Sequence, residues 1–366
     1  MITLDGSYGE GGGALVRTAL ALSALTGKAF TLKNIRAGRE HPGLKAQHLT
    51  AIKALKEMCG AATNDITIGS TELDFTPGKF KSGTFNLDIG TAGSISLLLQ
   101  ALILPSLFAS NKITLHLKGG TCGLGQASVD YLQNVFLPQI QPFVEKLELK
   151  IWKRGYYPAG GGEVSLEISP RFKLNKFSSY AAFIAELGLK IQRIILVEQG
   201  KLEQIRGRIN LSAELQSKEV AERVKIAAEK SLSSLGVPVN IQIEYSVTAS
   251  MGGEVVLWGI FSQAGKVNFD HPVILGSDAL LEKNKPSEQI GREAAEKLIF
   301  EISSGYPLDK HLVDQLLVFM ALLPGSQIKC SEISEHARTN IYVIENFLPI
   351  SFSVENHKIT AFAKDL

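Results

Sequence analysis

One histidine, His336, stands in a segment whose residue types could carry out nucleophilic chemistry. It lies in the run SEHARTN (residues 334–340), directly before a helical pattern. A neutral imidazole is a competent nucleophile near pH 7. A lone histidine is more often a surface or core residue, and the sequence leaves both interpretations open.

Two polar residues, Asp314 and Gln315, interrupt the otherwise apolar helical pattern LVDQLLVFMALL. Buried polar side chains need hydrogen-bond partners, so we expect both to face a site rather than the core. An aspartate close to a histidine could orient an imidazole for attack. Asp314 is therefore a candidate partner of His336, although the sequence cannot show that the two are close in space.

A pair of arginines suggests an oligoanion site. Arg36 and Arg39 flank a glycine-containing turn in the segment IRAGREHPG, and Gln47 follows at the start of the next helical pattern. The planar guanidinium group binds phosphate through two hydrogen bonds at once. The alternative, surface arginines at the end of a strand, stays open.

The glycine-rich run GEGGG at residues 9–13 precedes a helical pattern. It satisfies the dinucleotide pattern G-x-G-x-x-[GA], but basic residues replace the acid expected about 20 positions later, and no Walker pattern occurs. What remains is a flexible loop leading into a helix N-terminus, a geometry that binds anions, or else a tight turn. Similar loops occur at residues 90–94, 119–121 and 159–162. For the first, an N-cap at Thr91 or Ser94 is the simpler explanation.

A repeated pattern of elements must position these residues. A helical pattern at 14–25 is followed by a strand pattern at 30–35 and a second helix at 44–58. The same order recurs from residue 93 and again from residue 312, and strands follow each second helix. We therefore predict an α/β (α+β) fold of three repeated units, each a four-stranded sheet with two helices, stacked around a shared core.

Residues 200–305 show a different order of strands and helices, between turn-rich junctions. We predict that they form a small α/β domain inserted into the third unit. Residues 1–199 and 306–366 would then form the large domain.

The composition is that of an ordinary globular protein. The 366 residues carry a formal net charge of +2, with 45% hydrophobic and 20% charged residues. Three cysteines without metal spacing argue against a disulfide scaffold and a structural zinc. The longest apolar run, residues 94–110, is interrupted by Gln100 and Pro105 and predicts a buried helix rather than a membrane span. No signal peptide is recognisable at the start, so we expect a cytoplasmic protein without membrane contact.

Together these segments resemble the RNA 3'-terminal phosphate cyclase family. The matching motifs are YGEGGGALVRTALALSALTGK, IRAGREHPGLKAQHLTA, IGTAGSISLLLQALILP, the GGT turn, RGYYPAGGGEV, HLVDQLLVFMAL and HARTNIYVIENFLP. They cover most of residues 1–165 and 308–350, in order. The resemblance implies three sheet-plus-two-helix units with a small α/β domain inserted in the third, in agreement with the repeat.

The resemblance also implies an activity. His336 would attack the α-phosphate of ATP to form a histidine–AMP adduct, AMP would pass to the 3'-phosphate of an RNA end, and the 2'-hydroxyl would close a 2',3'-cyclic phosphate with release of AMP. Glu10 becomes the candidate ligand of Mg²⁺ (or Mn²⁺). The implied phosphate-binding residues are Arg17, Arg36, Arg39 and Gln47, and the implied ATP-binding residues are Gln100, His311, Leu312, Val313, Asp314 and Gln315. The implied partners are ATP and RNA with a 3'-phosphate end, and we also consider a homodimer.

Two positions depart from the family pattern. The loop at 122–127 lacks the usual prolines, and His311 stands where an aromatic residue is common. Details of the adenine pocket are therefore not transferred from the family.

Two other functions fit parts of the sequence. A noncatalytic relative could serve as a scaffold in ribosome assembly, but it should lack the histidine nucleophile. An enolpyruvyl transferase also has repeated sheet-plus-helix units and would need no such histidine. Labelling of the protein by [α-³²P]ATP, acid-labile and base-stable, separates the cyclase from the transferase.

Overall fold

The structure is a computed structural model, and it describes residues 1–364. The first repeated unit forms one sheet with strand order β1-β2-β4-β3, in which β1 and β2 are parallel and the other neighbours are antiparallel. Its elements are β1 (Ile2–Asp5), α1 (Ala14–Thr26), β2 (Phe30–Lys33), α2 (Ala46–Cys59), β3 (Ala62–Thr63) and β4 (Leu73–Thr76).

The second unit repeats this topology with the order β5-β6-β8-β7. Its second helix is irregular, since a π-helical turn at Leu132–Phe136 separates two short α-helical pieces. The elements are β5 (Gly83–Asp88), α3 (Ile95–Leu107), β6 (Ile113–Gly119), α4 (Val129–Tyr131), α5 (Leu137–Ile140), β7 (Val144–Lys153) and β8 (Gly162–Pro170).

A helix, α6 (Tyr180–Lys190), leads to the short strand β9 (Ile195–Leu196). The next four strands form a separate sheet in the order β11-β10-β12-β13. The elements of this segment are β10 (Lys201–Ser212), α7 (Val220–Leu232), β11 (Val239–Ser246), β12 (Gly253–Ser262), β13 (Ile274–Leu280) and α8 (Ser287–Ser303). We propose residues 200–305 as the inserted domain because they contain a complete sheet of their own.

The third unit resumes after this segment with α9 (Lys310–Leu322), β14 (Gln327–Lys329), α10 (Glu335–Phe347), β15 (Ile350–Glu355) and β16 (Lys358–Ala363). Its sheet has the order β9-β14-β16-β15, and β9 pairs in parallel with β14. All three units therefore share the order first–second–fourth–third strand. The predicted α/β fold with repeated sheet-plus-helix units is confirmed.

The sequence analysis missed the first strand of each unit, the third strands β3 and β7 of the first two units, β13 and helix α6. Of the first strands, β1 has four residues and β9 only two. Strands of this length carry too few residues for a periodic pattern to stand out. Pairing with the second strand of each unit defines them instead.

Helix α1 lies at the centre of the helical layer. It packs against α2, α3 and α10, so it contacts helices of all three units. Apolar residues surround it on every side, as expected of a helix buried in a core. Its one charged residue, Arg17, interrupts that apolar surface near the N-terminus. Among residues 1–364, no helix is both long and apolar enough to span a membrane.

Candidate active site

A cavity of about 660 Å³ opens where the three units meet. The first unit contributes the start of α1, the loop before α2 and the start of α2. The second contributes α3 and the loop 124–127, and the third contributes α9 and the start of α10. Of the residues predicted for function, those lining the cavity are Glu10, Arg17, Arg36, Arg39, Gln47, Gln100, His311, Asp314, Gln315 and His336.

Glu10 and His336 meet at the mouth of this cavity. The Nδ1 atom of His336 lies 2.8 Å from Glu10 Oε1, and Arg39 Nη2 donates to Glu10 Oε2 at 2.6 Å. Contact with the Glu10 carboxylate raises the pKa of His336 above its ordinary value. Burial alone would raise the pKa of Glu10, but the contacts with His336 and Arg39 outweigh it and lower that pKa. Glu10 Oε1 has no hydrogen-bond partner within residues 1–364, so the contact with His336 is a close ion-pair contact without hydrogen-bond geometry. In the neutral ring, a proton on Nδ1 would face the carboxylate and Nε2 would keep its lone pair.

His336 lies in the first turn of α10. The helix therefore begins before His336, whereas the sequence predicted that it begins after this residue. Ser334 caps this helix by accepting a hydrogen bond from the Ala337 N–H at 3.0 Å. Asp314 in turn accepts from the Ser334 hydroxyl at 2.8 Å. Asp314 makes no hydrogen bond to His336 within residues 1–364 and acts on the imidazole through its charge, which contributes to the raised pKa of His336. The carboxylate in direct contact with His336 is that of Glu10. Burial raises the pKa of Asp314 despite this hydrogen bond.

Arg17 is buried but only partly used by the protein. Its Nε donates to Gln100 Oε1 at 2.8 Å, which links the first and second units. Neither Nη atom makes a hydrogen bond within residues 1–364, although the side chain lines the cavity. Burial lowers the pKa of Arg17 to about 10, so the group stays charged near neutral pH. An anion in the cavity would find both Nη groups free to donate.

The two arginines of the first loop have different roles. Arg36 Nη1 donates to the carbonyl oxygens of His41 and Gly43, at 2.7 and 3.0 Å. It therefore holds its own loop in place while it lines the cavity. Arg39 is more exposed and pairs with Glu10.

In the glycine-rich loop, close contacts as well as the turn leave little room for a side chain. A Cβ atom at residue 12 would overlap the Glu10 carboxylate, and one at residue 13 would lie 2.5 Å from His48 Nε2 and 3.0 Å from Arg17 Nη1. Gly13 has φ −78°, so its backbone alone does not require glycine. Gly9 and Gly11 have φ +61° and +57°, which a tight turn requires. The run therefore contains a tight turn at its start and close contacts with cavity side chains at its end. In the loop 90–94, by contrast, Ser94 caps α3 and accepts from the Leu97 N–H.

The predicted nucleotide segment of α9 divides into two faces. His311, Asp314 and Gln315 line the cavity, spaced three and four residues apart on one helix face. Leu312 and Val313 do not line it, because the same helix turns them into the hydrophobic core. His311 meets the ring of Tyr131 edge-on, with centroids 5.7 Å apart.

Several cavity residues were missing from the sequence-based site. These are Lys45, His48, Lys310, Ser334 and Asn340. His48 directly follows Gln47, and Lys310 directly precedes His311, so their neighbours gave a usable signal. Asn340 lies four residues after His336, on the same face of α10.

The cavity residues supply too few ligands to hold a divalent ion by themselves, but they fit an ion that is also bound by substrate phosphate. No group of three or more His, Cys, Asp or Glu side chains within residues 1–364 could hold a metal. Glu10 could supply one carboxylate oxygen, with the rest of the shell from phosphate and water. Mg²⁺ is bound in this way, through one or two carboxylates together with substrate phosphates.

Fold and site together define an α/β protein of three repeated units that converge on a cationic cavity containing a carboxylate-paired histidine. A family model described as RNA 3'-terminal phosphate cyclase matches residues 8–354. The chain belongs to the RNA 3'-terminal phosphate cyclase family.

Relatives named RNA 3'-terminal phosphate cyclase align along nearly the whole chain. The protein of Methanopyrus kandleri is 38% identical over 360 residues, covering 97% of this chain and 95% of the relative. That of Pyrococcus furiosus is 39% identical over 355 residues, with the same coverage. That of Archaeoglobus fulgidus is 39% identical over 361 residues, covering 98% and 99%. Family membership decides against the enolpyruvyl transferase alternative.

Proposed function

We propose that this protein converts an RNA 3'-terminal phosphate to a 2',3'-cyclic phosphate at the expense of ATP, through a covalent His336–AMP intermediate. The contact of His336 Nδ1 with Glu10 Oε1 at 2.8 Å carries this proposal. A carboxylate at this position favours the proton on Nδ1, so that Nε2 would be the nucleophilic atom at the cavity mouth.

In the first step, Nε2 attacks the α-phosphorus of ATP, so that an N–P bond forms and the bond to pyrophosphate breaks. The attacking ring gains positive charge. The Glu10 carboxylate faces that charge through the Nδ1 proton and stabilises it, as the carboxylate of a catalytic triad does for its histidine.

In the second step, a 3'-phosphate oxygen of the RNA attacks the adenylate phosphorus and the N–P bond breaks. The terminal 2'-hydroxyl then attacks the activated 3'-phosphate, closing the cyclic ester and releasing AMP. Both later steps need the RNA end at the same cavity mouth, where Arg39 pairs with Glu10 and is a proposed phosphate ligand of the first unit.

The cationic wall of the cavity would hold the phosphates. The free Nη groups of Arg17 provide a ready fork, and Arg39 can reach phosphate when it releases Glu10. Released from Arg39, Glu10 would hold a Mg²⁺ or Mn²⁺ ion whose charge offsets that of the triphosphate. Gln100, His311, Asp314 and Gln315 would line the nucleoside side of the site. There Gln315 Oε1, buried and without a partner within residues 1–364, can accept a hydrogen bond.

Two assays test this function. Incubation with [α-³²P]ATP and Mg²⁺ should label the protein through an acid-labile, base-stable bond. Incubation with ATP and a 3'-phosphate oligoribonucleotide should give an end that phosphatase cannot remove. Absence of both products would favour the noncatalytic scaffold. We also propose a cytoplasmic location, which the three free cysteine thiols support.

A further inference from the structure

A stacked pair of aromatic rings lies on the surface beside the glycine-rich loop. The rings of Tyr8 and Tyr342 have their centroids 4.1 Å apart and their planes 17° from parallel. Tyr8 is 45% exposed. Because Tyr342 covers one face of the Tyr8 ring, the exposed surface of that ring lies on its other face and its edges. The pair therefore presents a flat, apolar surface to a further planar group.

Backbone contacts fix the pair in this orientation. The Asp5 N–H at the end of β1 donates to the Tyr342 hydroxyl at 3.3 Å, and the Tyr8 N–H donates to the Asp5 carbonyl oxygen at 3.2 Å. A Cβ atom on the next residue, Gly9, would lie 2.6 Å from the Thr339 hydroxyl oxygen, so the loop lies directly on α10. A ligand that stacks on Tyr8 meets a ring that is already ordered, which lowers the entropic cost of binding.

The pair lies beside the proposed nucleophile but outside the cavity. Tyr8 is two residues from Glu10, which contacts His336. Tyr342 follows His336 by six residues in α10, about 9 Å along the helix axis. Neither tyrosine lines the cavity. An RNA end whose phosphate lies at His336 extends out of the cavity mouth, so this surface is close to its last nucleotides.

The charges around the pair favour a base over a phosphate. The exposed carboxylates of Asp5 and Glu335 lie beside the loop, and Glu335 Oε2 is 3.7 Å from the position of a Gly9 Cβ. Arg338 pairs with Glu335 at 3.4 Å, so two carboxylates stand against one guanidinium and do not attract phosphate. A nucleobase is planar and uncharged, and it can stack here while the terminal phosphate binds in the cationic cavity.

We propose that Tyr8, with Tyr342 stacked behind it, binds one of the last bases at the 3' end of the RNA substrate by stacking. The inference rests on the proposed function. Bases of a single-stranded end can unstack and lie against an aromatic side chain. Every base has a π-face, so this contact tolerates any sequence. Tyr8 is thus a binding residue for the two RNA-dependent steps rather than for the attack of His336 on ATP.

Two substitutions of Tyr8 and a matched control test this contact. Tyr8→Phe keeps the ring, whereas Tyr8→Leu keeps apolar bulk against Tyr342 but removes the flat face. The control is Phe362→Leu, because Phe362 is 46% exposed on β16 and lies outside the cavity. Each full-length protein is titrated, without ATP, against a 5'-fluorescein oligoribonucleotide that carries a 3'-phosphate, and binding is read by anisotropy. Labelling by [α-³²P]ATP without RNA is measured in parallel.

We expect Tyr8→Leu to bind this RNA about 5-fold or more weakly than the wild type, the lower end of the range for one base–aromatic stack. Tyr8→Phe should lose much less, and Phe362→Leu nothing. Equal binding by the wild type and Tyr8→Leu would overturn the proposal. So would a loss of ATP labelling in Tyr8→Leu that matches its loss of RNA binding, because it would show a disturbed loop rather than a lost stack.

An abasic nucleotide identifies the stacked base. It is placed in turn at each of the last three positions of the oligoribonucleotide. At one position it should weaken binding to the wild type about as much as Tyr8→Leu does. It should cause no further loss in that variant, because both changes remove the same contact. Additive losses at all three positions would overturn the proposal.

A measurement on the unmutated protein guards against a disturbed variant. In wild type with ¹³C-labelled tyrosine, the Tyr8 ring signals are assigned by their absence in Tyr8→Phe. They should shift upfield when the RNA is added, because the ring current of a stacked base shields them. Unchanged signals at saturating RNA, or no measurable RNA binding by the wild type, would overturn the proposal. Failure of the proposed function would show separately, as absence of labelling of the wild type by [α-³²P]ATP.

Discussion

Two clusters of charged and polar residues lie where units of the molecule meet, and they differ in how completely their buried arginines are hydrogen-bonded. The cavity cluster consists of Glu10, Arg17, Arg39, His48 and His336. The junction cluster lies between the second unit and the sheet β10–β13, and consists of Asp130, Arg154, Asn210, Glu244 and Glu254.

In the junction cluster, all three side-chain nitrogens of Arg154 donate hydrogen bonds to carboxylates. Its Nε and Nη2 donate to the two Glu244 oxygens at 2.9 and 2.7 Å, and Nη1 and Nη2 both donate to Asp130. Only 1% of Arg154 is exposed, against 9% of Arg17. The Arg17 side chain nevertheless makes a single hydrogen bond within residues 1–364, through Nε. Of two buried arginines, the one whose three nitrogens all donate to carboxylates serves the structure, and the one with free Nη groups is available to a ligand.

The pKa values of Glu10 in the cavity cluster and Glu254 in the junction cluster shift in opposite directions, whereas that of Glu244, bonded to Arg154, is lowered like that of Glu10. Glu10 faces two cationic partners, and its pKa is lowered. Burial, with the nearby Asp130 carboxylate second, raises the pKa of Glu254 well above its ordinary value. A carboxylate in the cavity is thus kept charged for chemistry, whereas one in the junction is driven towards its neutral form.

The largest expected effect concerns the nucleophile of the cavity cluster. His336→Ala should reduce labelling by [α-³²P]ATP to background, because it removes the proposed attacking nitrogen. Circular dichroism should remain that of the wild type, since the side chain is partly exposed. The control is His116→Ala, which should label normally. Labelling of the His336 variant would refute the assignment of the nucleophile.

The next effect concerns the junction cluster. Arg154→Ala should lower the free energy of unfolding by about 3–5 kcal/mol, because it leaves Asp130 buried without its main cation. Arg17→Ala is the matched variant, and it should cost much less stability because no buried carboxylate depends on it. Urea denaturation measures both. Equal losses of unfolding free energy in the two variants would contradict the structural role assigned to Arg154 and not to Arg17.

In self-adenylylation, by contrast, Arg17 should matter for activity. Arg17→Ala should reduce kcat/KM for ATP in self-adenylylation by roughly one to two decades, since loss of a charge-assisted hydrogen bond costs about 1.5–3 kcal/mol. Arg17→Lys should restore only part of this, because an ammonium lacks the fork. The assay is initial-rate labelling at varied ATP concentration. Wild-type kinetics in Arg17→Ala would remove this residue from the phosphate site.

The smallest effect is a pH dependence in the junction cluster. A buried acid with a raised pKa stabilises the fold below its unfolded pKa, and this contribution is lost as the pH rises towards the folded pKa. Glu254→Gln removes that loss. The stability difference between variant and wild type should therefore shift in favour of the variant above about pH 4.5, by up to about 1.4 kcal/mol per pH unit. Urea denaturation at pH 5, 6, 7 and 8 measures it, and parallel curves would contradict the raised pKa of Glu254.

The junction cluster also bonds residues 200–305 to the second unit. Arg154 of the second unit donates to Glu244 of β11, and the Tyr156 hydroxyl donates to Asn210 of β10 at 2.8 Å. Removal of this segment would leave charged groups of the second unit without their partners.

Local sequence determined much of this protein. Periodic apolar patterns placed the helices of the three units, because burial on one helix face requires a regular spacing. The motif around His336, the glycine-rich loop and the two loop arginines were recognisable because their chemistry resides in residue type and short spacing. The three- and four-residue spacing of His311, Asp314 and Gln315 could also have placed them on one helix face. Leu312 and Val313 would then have been assigned to the core, but the prediction took the segment 311–315 as a whole.

Tertiary structure alone decided which of these groups meet. Glu10 and His336 lie near opposite ends of the chain, yet they are in contact. Strand β9 is defined by its pairing with β14, although strands β10–β13 lie between the two in the sequence. Likewise, nothing in the residue types separates Arg17 from Arg154. Hydrogen-bond saturation depends on which acceptors packing brings within about 3 Å, and for contacts between distant segments local sequence does not encode that.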